Sequence, residues 1–104
     1  MLQIPLSIIP NQTLSVVLDG KQYDLAFYLT ENIMAVDMAR DGEVILTGQR
    51  IVAGFPIIPY RYLESGNFIL DTANDELPDY RQFGVTQFLI YASIAELASL
   101  RAGT

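Results

Sequence analysis

The stretch TLSVVLDGKQYDLAFYL, residues 13–29, constrains the fold of this chain more than any other. Leu14, Val16 and Leu18 alternate with Thr13, Ser15 and Val17; after Asp19-Gly20, the residues Tyr23, Leu25, Phe27 and Leu29 alternate in turn. A period of two sends successive side chains to opposite faces of a strand. An Asp-Gly pair suits a two-residue type I′ turn, because both central residues of that turn need positive φ. Such a turn sets Leu18 opposite Lys21, Val16 opposite Tyr23 and Leu14 opposite Leu25. The apolar faces coincide in that register, so pattern and turn specify the same hairpin independently.

A second hairpin is expected around Asp41-Gly42, between IMAVDMA and EVILTG. A plain two-residue turn there would place Asp37 opposite Leu46, on a mixed face. A G1 bulge with Gly42 in the left-handed region shifts the pairing by one and sets Met38 opposite Leu46. Met34, Val36 and Met38 then share a side with Val44 and Leu46, which is the preferred reading. Downstream come QRIVA, a bent FPIIPYRY, a turn at Ser65-Gly66-Asn67, the run NFIL, an acidic loop and VTQFLIYA. In the last of these, Phe88 and Ile90 fall on one face and Gln87, Leu89 and Tyr91 on the other. Ser93 followed by Glu96 forms a capping box, with Ile94, Leu97, Ala98 and Arg101 at helical spacing and Gly103 as a stop. A helix of about three turns is marginal unless it docks on something. The expected architecture is a mainly all-β domain over residues 1–104. It is a small antiparallel barrel or sandwich of about six to eight short strands, ending in a short α-helix.

GQRIVAGFPIIPYRY, residues 48–62, does not fit simple alternation. Gln49–Ala53 reads as a strand and Gly54 as a bend; Pro56 and Pro59 then forbid a central strand. Phe55 and Ile57 are expected in the core, and Ile58, Tyr60 and Tyr62 on a contact surface, joined by the loop residue Tyr80. Tyr23, Phe27, Phe68 and Phe88 are expected to be core. The structural turns rest on Asp19, Gly20, Asp41, Gly42, Gly54 and Pro56.

Charged residues make up only 17% of the chain, against roughly 25% in an average soluble domain. A surface so poor in charge suits one partly covered by partners, copies of the chain included. The net charge is −6, and the six basic residues are scattered. Neither nucleic acid nor an anionic membrane is an expected partner. The chain has no cysteine and no histidine, which removes disulfides, thiolate metal sites and the commonest general base. Carboxylates alone remain for catalysis. Asp71, Asp75, Glu76 and Asp79 crowd one loop, which reads as a solvated turn. The loop fails the EF-hand pattern, with Ala73 and Gln82 at ligand positions and Glu76 where glycine belongs. No phosphate-binding glycine loop occurs, so no catalytic, cofactor or metal residue is expected. MLQIPLSIIP lacks the basic start of a signal peptide, and FLIYASIAELASL is too short and too polar to span a membrane.

The order IPL, PNQTLSVVLDGKQYDLAFY, a D-G turn, GQRIVAGFPIIPY, GNFILDT and FGVTQFLIY resembles the small baseplate plug proteins of contractile-tailed bacteriophages. The resemblance covers about residues 3–91, so the β core is expected at 1–91 and the helix and tail at 92–104 lie outside it. It implies a structural virion protein of the tail baseplate, made in the host cytoplasm, without enzymatic activity. It also implies contacts with the hub and with axial components such as tube and tape measure, and several copies per baseplate. The alternative is a stand-alone β-barrel module that binds a peptide or apolar ligand.

Overall fold

The structure, a computed structural model, describes residues 1–73 and 76–102. Within these, the strands are β1 (Leu2–Ile4), β2 (Gln12–Leu18), β3 (Lys21–Thr30), β4 (Ile33–Arg40), β5 (Glu43–Arg50), β6 (Asn67–Thr72) and β7 (Gln87–Ala92). One helix, α1 (Ile94–Ala102), follows. β2-β3-β4-β5 form a four-stranded antiparallel meander, and β1-β7-β6 a second, three-stranded antiparallel sheet. The two sheets stay open, which corrects the barrel half of the expectation; the mainly β architecture with a terminal helix stands.

The first hairpin has the register its sequence dictates: Leu18 faces Lys21, Val16 faces Tyr23 and Leu14 faces Leu25. Asp19 and Gly20 both have positive φ, as a type I′ turn requires. Glu31 and Asn32 make a further positive-φ turn between β3 and β4, pairing Thr30 with Ile33. At Asp41-Gly42 the turn is the plain two-residue form, with Arg40 opposite Glu43. The bulge lies one step inside β5, so Met38 does face Leu46 but Val44 faces Ala39. Val44 is consequently exposed rather than core. A second irregularity sets Thr47 and Gly48 against Asp37 alone. Gly48 takes φ 63° there and donates its N–H to Asp37 Oδ1 at 2.7 Å.

Two further expectations change. β5 ends at Arg50, so Ile51–Ala53 is irregular chain, not strand. On β7 the buried face is Gln87, Leu89 and Tyr91, while Phe88 and Ile90 are half-buried. The inner faces of the two sheets meet in a core that contains Tyr23, Leu25, Phe27, Met34, Val36 and Met38 from the meander and Phe68, Leu70, Leu89 and Tyr91 from the smaller sheet. Its centre is aromatic: Phe68 lies 5.2 Å from both the Tyr23 and the Tyr91 rings, centroid to centroid. Edge-on ring pairs of this kind add to ordinary apolar burial.

The capping box forms as expected. The Ser93 N–H donates to Glu96 Oε1 at 3.0 Å, and the Glu96 N–H to Ser93 Oγ at 3.3 Å. Only Leu97 of the expected stripe is buried, with Arg101 half-buried; Ile94 and Ala98 face outward. Gly103 lies outside the described residues.

Candidate interaction surface

Residues 51–63 form a proline-interrupted path along the outer edge of β6. Gly54, with φ 77°, turns the chain and donates its N–H to Leu70 O at 2.9 Å. Ile57 donates to Phe68 O at 2.8 Å, and Pro56 bridges antiparallel to Ile69. Pro56 and Pro59 occupy positions from which no N–H is asked, so the edge tolerates them. A 3-10 turn at Arg61–Leu63 ends the path.

Asn67 fixes this path from beneath. Its side chain is fully buried and uses both ends: Oδ1 accepts from the Ile58 and Phe68 N–H groups at 2.9 and 2.8 Å. Nδ2 donates to Ile58 O at 2.9 Å and to Glu64 Oε2 at 2.6 Å. Glu64, in turn, accepts two bonds from the Arg101 guanidinium at 2.9 and 2.8 Å. The Arg101 bond is the main influence that holds the Glu64 carboxyl below the usual range; Asn67 assists, while burial pulls the other way. A chain of polar contacts thus runs from the proline tract through β6 to α1.

The consequence for the expected contact residues is mixed. Tyr60 and Tyr62 are exposed, Tyr62 to 84%, with ring centroids 5.8 Å apart. Ile58, expected on the surface, is instead core at 1% exposure, because Asn67 holds both its backbone groups. Phe55, expected in the core, is 64% exposed, next to the left-handed turn at Gly54. Ile57 is buried as expected. Tyr80 is half-buried against the core, with the Arg81 guanidinium 5.9 Å from its ring centroid, and does not join the Tyr60–Tyr62 pair.

Beside the path lies a groove of about 440 Å³, lined by Val52, Phe55, Pro56 and Pro59 together with Arg50 and Arg61. These arginines were missed in the sequence, where nothing brings residues 50 and 61 together. Among the described residues neither forms an ion pair with a carboxylate, whereas Lys21, Arg81 and Arg101 do. Arg40 donates to Leu63 O at 2.5 Å.

The acidic loop is internally occupied. The Asp79 carboxylate accepts from the Arg81 side chain at 3.0 and 2.9 Å, a pairing that lowers its pKa. Glu76 accepts from the Thr86 hydroxyl at 2.7 Å. Gln87, buried under the loop, accepts from the Asp79 N–H and donates to Leu77 O. Asp71 is exposed, and Asp75 lies outside the described residues. Among the described residues no three carboxylates converge where they could hold a metal ion.

A surface built from exposed tyrosines, apolar side chains and arginines has the composition that protein contacts favour. The family model described as cyanophage baseplate Pam3 plug gp18 matches residues 1–94. The chain belongs to this baseplate plug family. Membership accords with a structural component of the phage baseplate, associated with other tail proteins, and suggests a role without catalysis. The match takes in both sheets and the whole proline tract, and stops at the first residue of α1. No curated protein matches the chain. No helix of the described residues is long and apolar enough to cross a membrane.

Proposed function

We propose that the protein is a plug at the centre of a contractile tail baseplate, bridging the hub and axial components such as the tube and tape measure. It works by burying apolar surface at several interfaces, and it is present in several copies. Charge complementarity selects the partners. The observation that carries this reading is the family match over residues 1–94. The exposed Tyr60–Tyr62 pair and Phe55 supply surface of the composition that protein interfaces favour. The protein is a virion component, synthesised in the host cytoplasm before assembly.

Cross-linking in intact virions, read by mass spectrometry, is the direct test, and cross-links to hub or tube proteins are the expected result. If the chain is absent from purified tails, the reading is wrong. Tyr60→Ser refines the test. It should lower incorporation into tails several-fold while shifting the melting temperature of the isolated protein little, since an exposed side chain usually contributes within about 0.5 kcal/mol. A large loss of thermal stability with normal incorporation would return Tyr60 to a purely structural role.

A further inference from the structure

The groove beside the proline tract combines an apolar wall with clustered arginines in a chain of net charge −6. Its apolar wall is formed by Val52, Phe55, Pro56 and Pro59, and Phe55 stands 64% exposed without a covering side chain. Its charged members are Arg50, Arg61, Arg101 and Glu64. Glu64 is engaged by Arg101 and feels a weaker pull from Arg61, while Arg50 and Arg61 are exposed and neither forms an ion pair among the described residues. Arg101 lines the same groove, so half of the six basic residues meet in one place. Arg101 is held there by the bidentate contact with Glu64, which fixes that part of the wall.

From this convergence we infer that the groove receives an extended segment of another protein, one in which an apolar or aromatic side chain is flanked by carboxylates. The apolar side chain covers Phe55 and Val52, and the flanking carboxylates meet the Arg50 and Arg61 guanidiniums. Planar guanidinium forks match carboxylates in geometry as well as charge, which a lysine would not. The inference rests on the baseplate reading only in taking the partner to be a different protein. A second copy of this chain fits less well. Two copies repel each other at −6 apiece, and in the chain's own acidic loop Asp79 and Glu76 are already engaged by Arg81 and Thr86.

Synthetic peptides test this on the full chain by fluorescence anisotropy, without any virion. The probes are a fluorescein-labelled peptide with a Phe-Leu pair between two Asp-Glu pairs, its lysine counterpart and its serine counterpart. The acidic peptide should bind at least about tenfold more tightly than the other two, which corresponds to about 1.4 kcal/mol. Its affinity should fall as salt is raised. R50E/R61E should abolish that preference, R50Q/R61Q should weaken it, and Phe55→Ser should lower affinity for the acidic peptide. Circular dichroism should show all these variants folded, since every altered side chain is exposed.

Equal binding of the acidic and serine peptides would overturn the inference, as would affinity unchanged in R50E/R61E. Concentration-dependent self-association of the chain, abolished by R50E/R61E, would assign the groove to a second copy and overturn the partner named here. None of these failures touches the virion cross-linking result, so the two readings are separable.

Discussion

Gly66 is the residue whose identity the fold fixes most tightly. Its φ is +112°, and a Cβ built there would lie 2.1 Å from Tyr91 Oη and 2.5 Å from Tyr91 Cζ. Tyr91 cannot yield: its ring packs on Phe68, and its hydroxyl lies 2.7 Å from Asp19 Oδ2 and 2.9 Å from Ser65 O. Burial, reinforced by the Asp19 carboxylate, pushes the phenol far above its usual pKa, so it remains a neutral donor. Gly66→Ala should cost on the order of 3 kcal/mol, combining left-handed backbone strain with overpacking. A urea midpoint within error of the parent protein would refute that reading of the site. At this scale the sequence is a partial guide. Ser65-Gly66-Asn67 reads as a turn, but nothing local reveals that Asn67 reaches back nine residues to hold Ile58 and so draws it inward. Phe55 and Ile58 exchange their expected places because those bonds, not hydrophobicity, set the orientation of the tract.

Among the elements, those specified by neighbouring residues were readable and those specified across space were not. The Asp19-Gly20 hairpin and the Ser93–Glu96 capping box each close within a few residues, and both form as their patterns require. The turn at Glu31-Asn32 carries no glycine and left no comparable mark. The irregularity of β5 at Thr47-Gly48 answers to Asp37, a residue of the opposing strand, whose carboxylate takes bonds from the Gly48 N–H and the Tyr28 hydroxyl. The half-buried placement of Arg101 on α1 likewise involves Glu64, far away in sequence. Because α1 is short, its cap matters: Ser93→Ala should destabilise the protein by about 1 kcal/mol. That corresponds to a melting temperature lower by roughly 4–8 °C for a chain of this size. An unchanged melting temperature would show that α1 contributes nothing to global unfolding.

For the whole molecule, acid is the informative variable. Glu64, Asp79 and Glu96 all have carboxyls held below their ordinary pKa, chiefly by Arg101, Arg81 and the N-terminal ammonium respectively. A group whose pKa is depressed on folding contributes stability above its unfolded value and loses it as pH falls through the folded one. The protein should therefore be stable at neutral pH and weaken progressively below about pH 5, where unfolded carboxylates begin to take up protons. Glu64→Gln should lower the neutral-pH stability and flatten the acid slope, measured by urea titrations at several pH values. The parent slope surviving in Glu64→Gln would mean that the Glu64–Arg101 pair does not drive the acid response. The alternating, turn-rich pattern made the antiparallel β architecture legible, but left barrel and open sandwich undecided. Whether a meander closes depends on where its edges find partners.

The proline tract has a bearing on how safely this protein can be concentrated. Left bare, the margin of β6 would offer the backbone of Phe68, Ile69 and Leu70 to any extended chain, the usual starting point for runaway strand-on-strand aggregation. Residues 54–58 occupy that margin with a segment whose Pro56 cannot donate onward. Molecules crowded together along this side find a margin whose donors are already used or absent, so their contacts there rest mainly on side chains, with a defined limit, and can be undone.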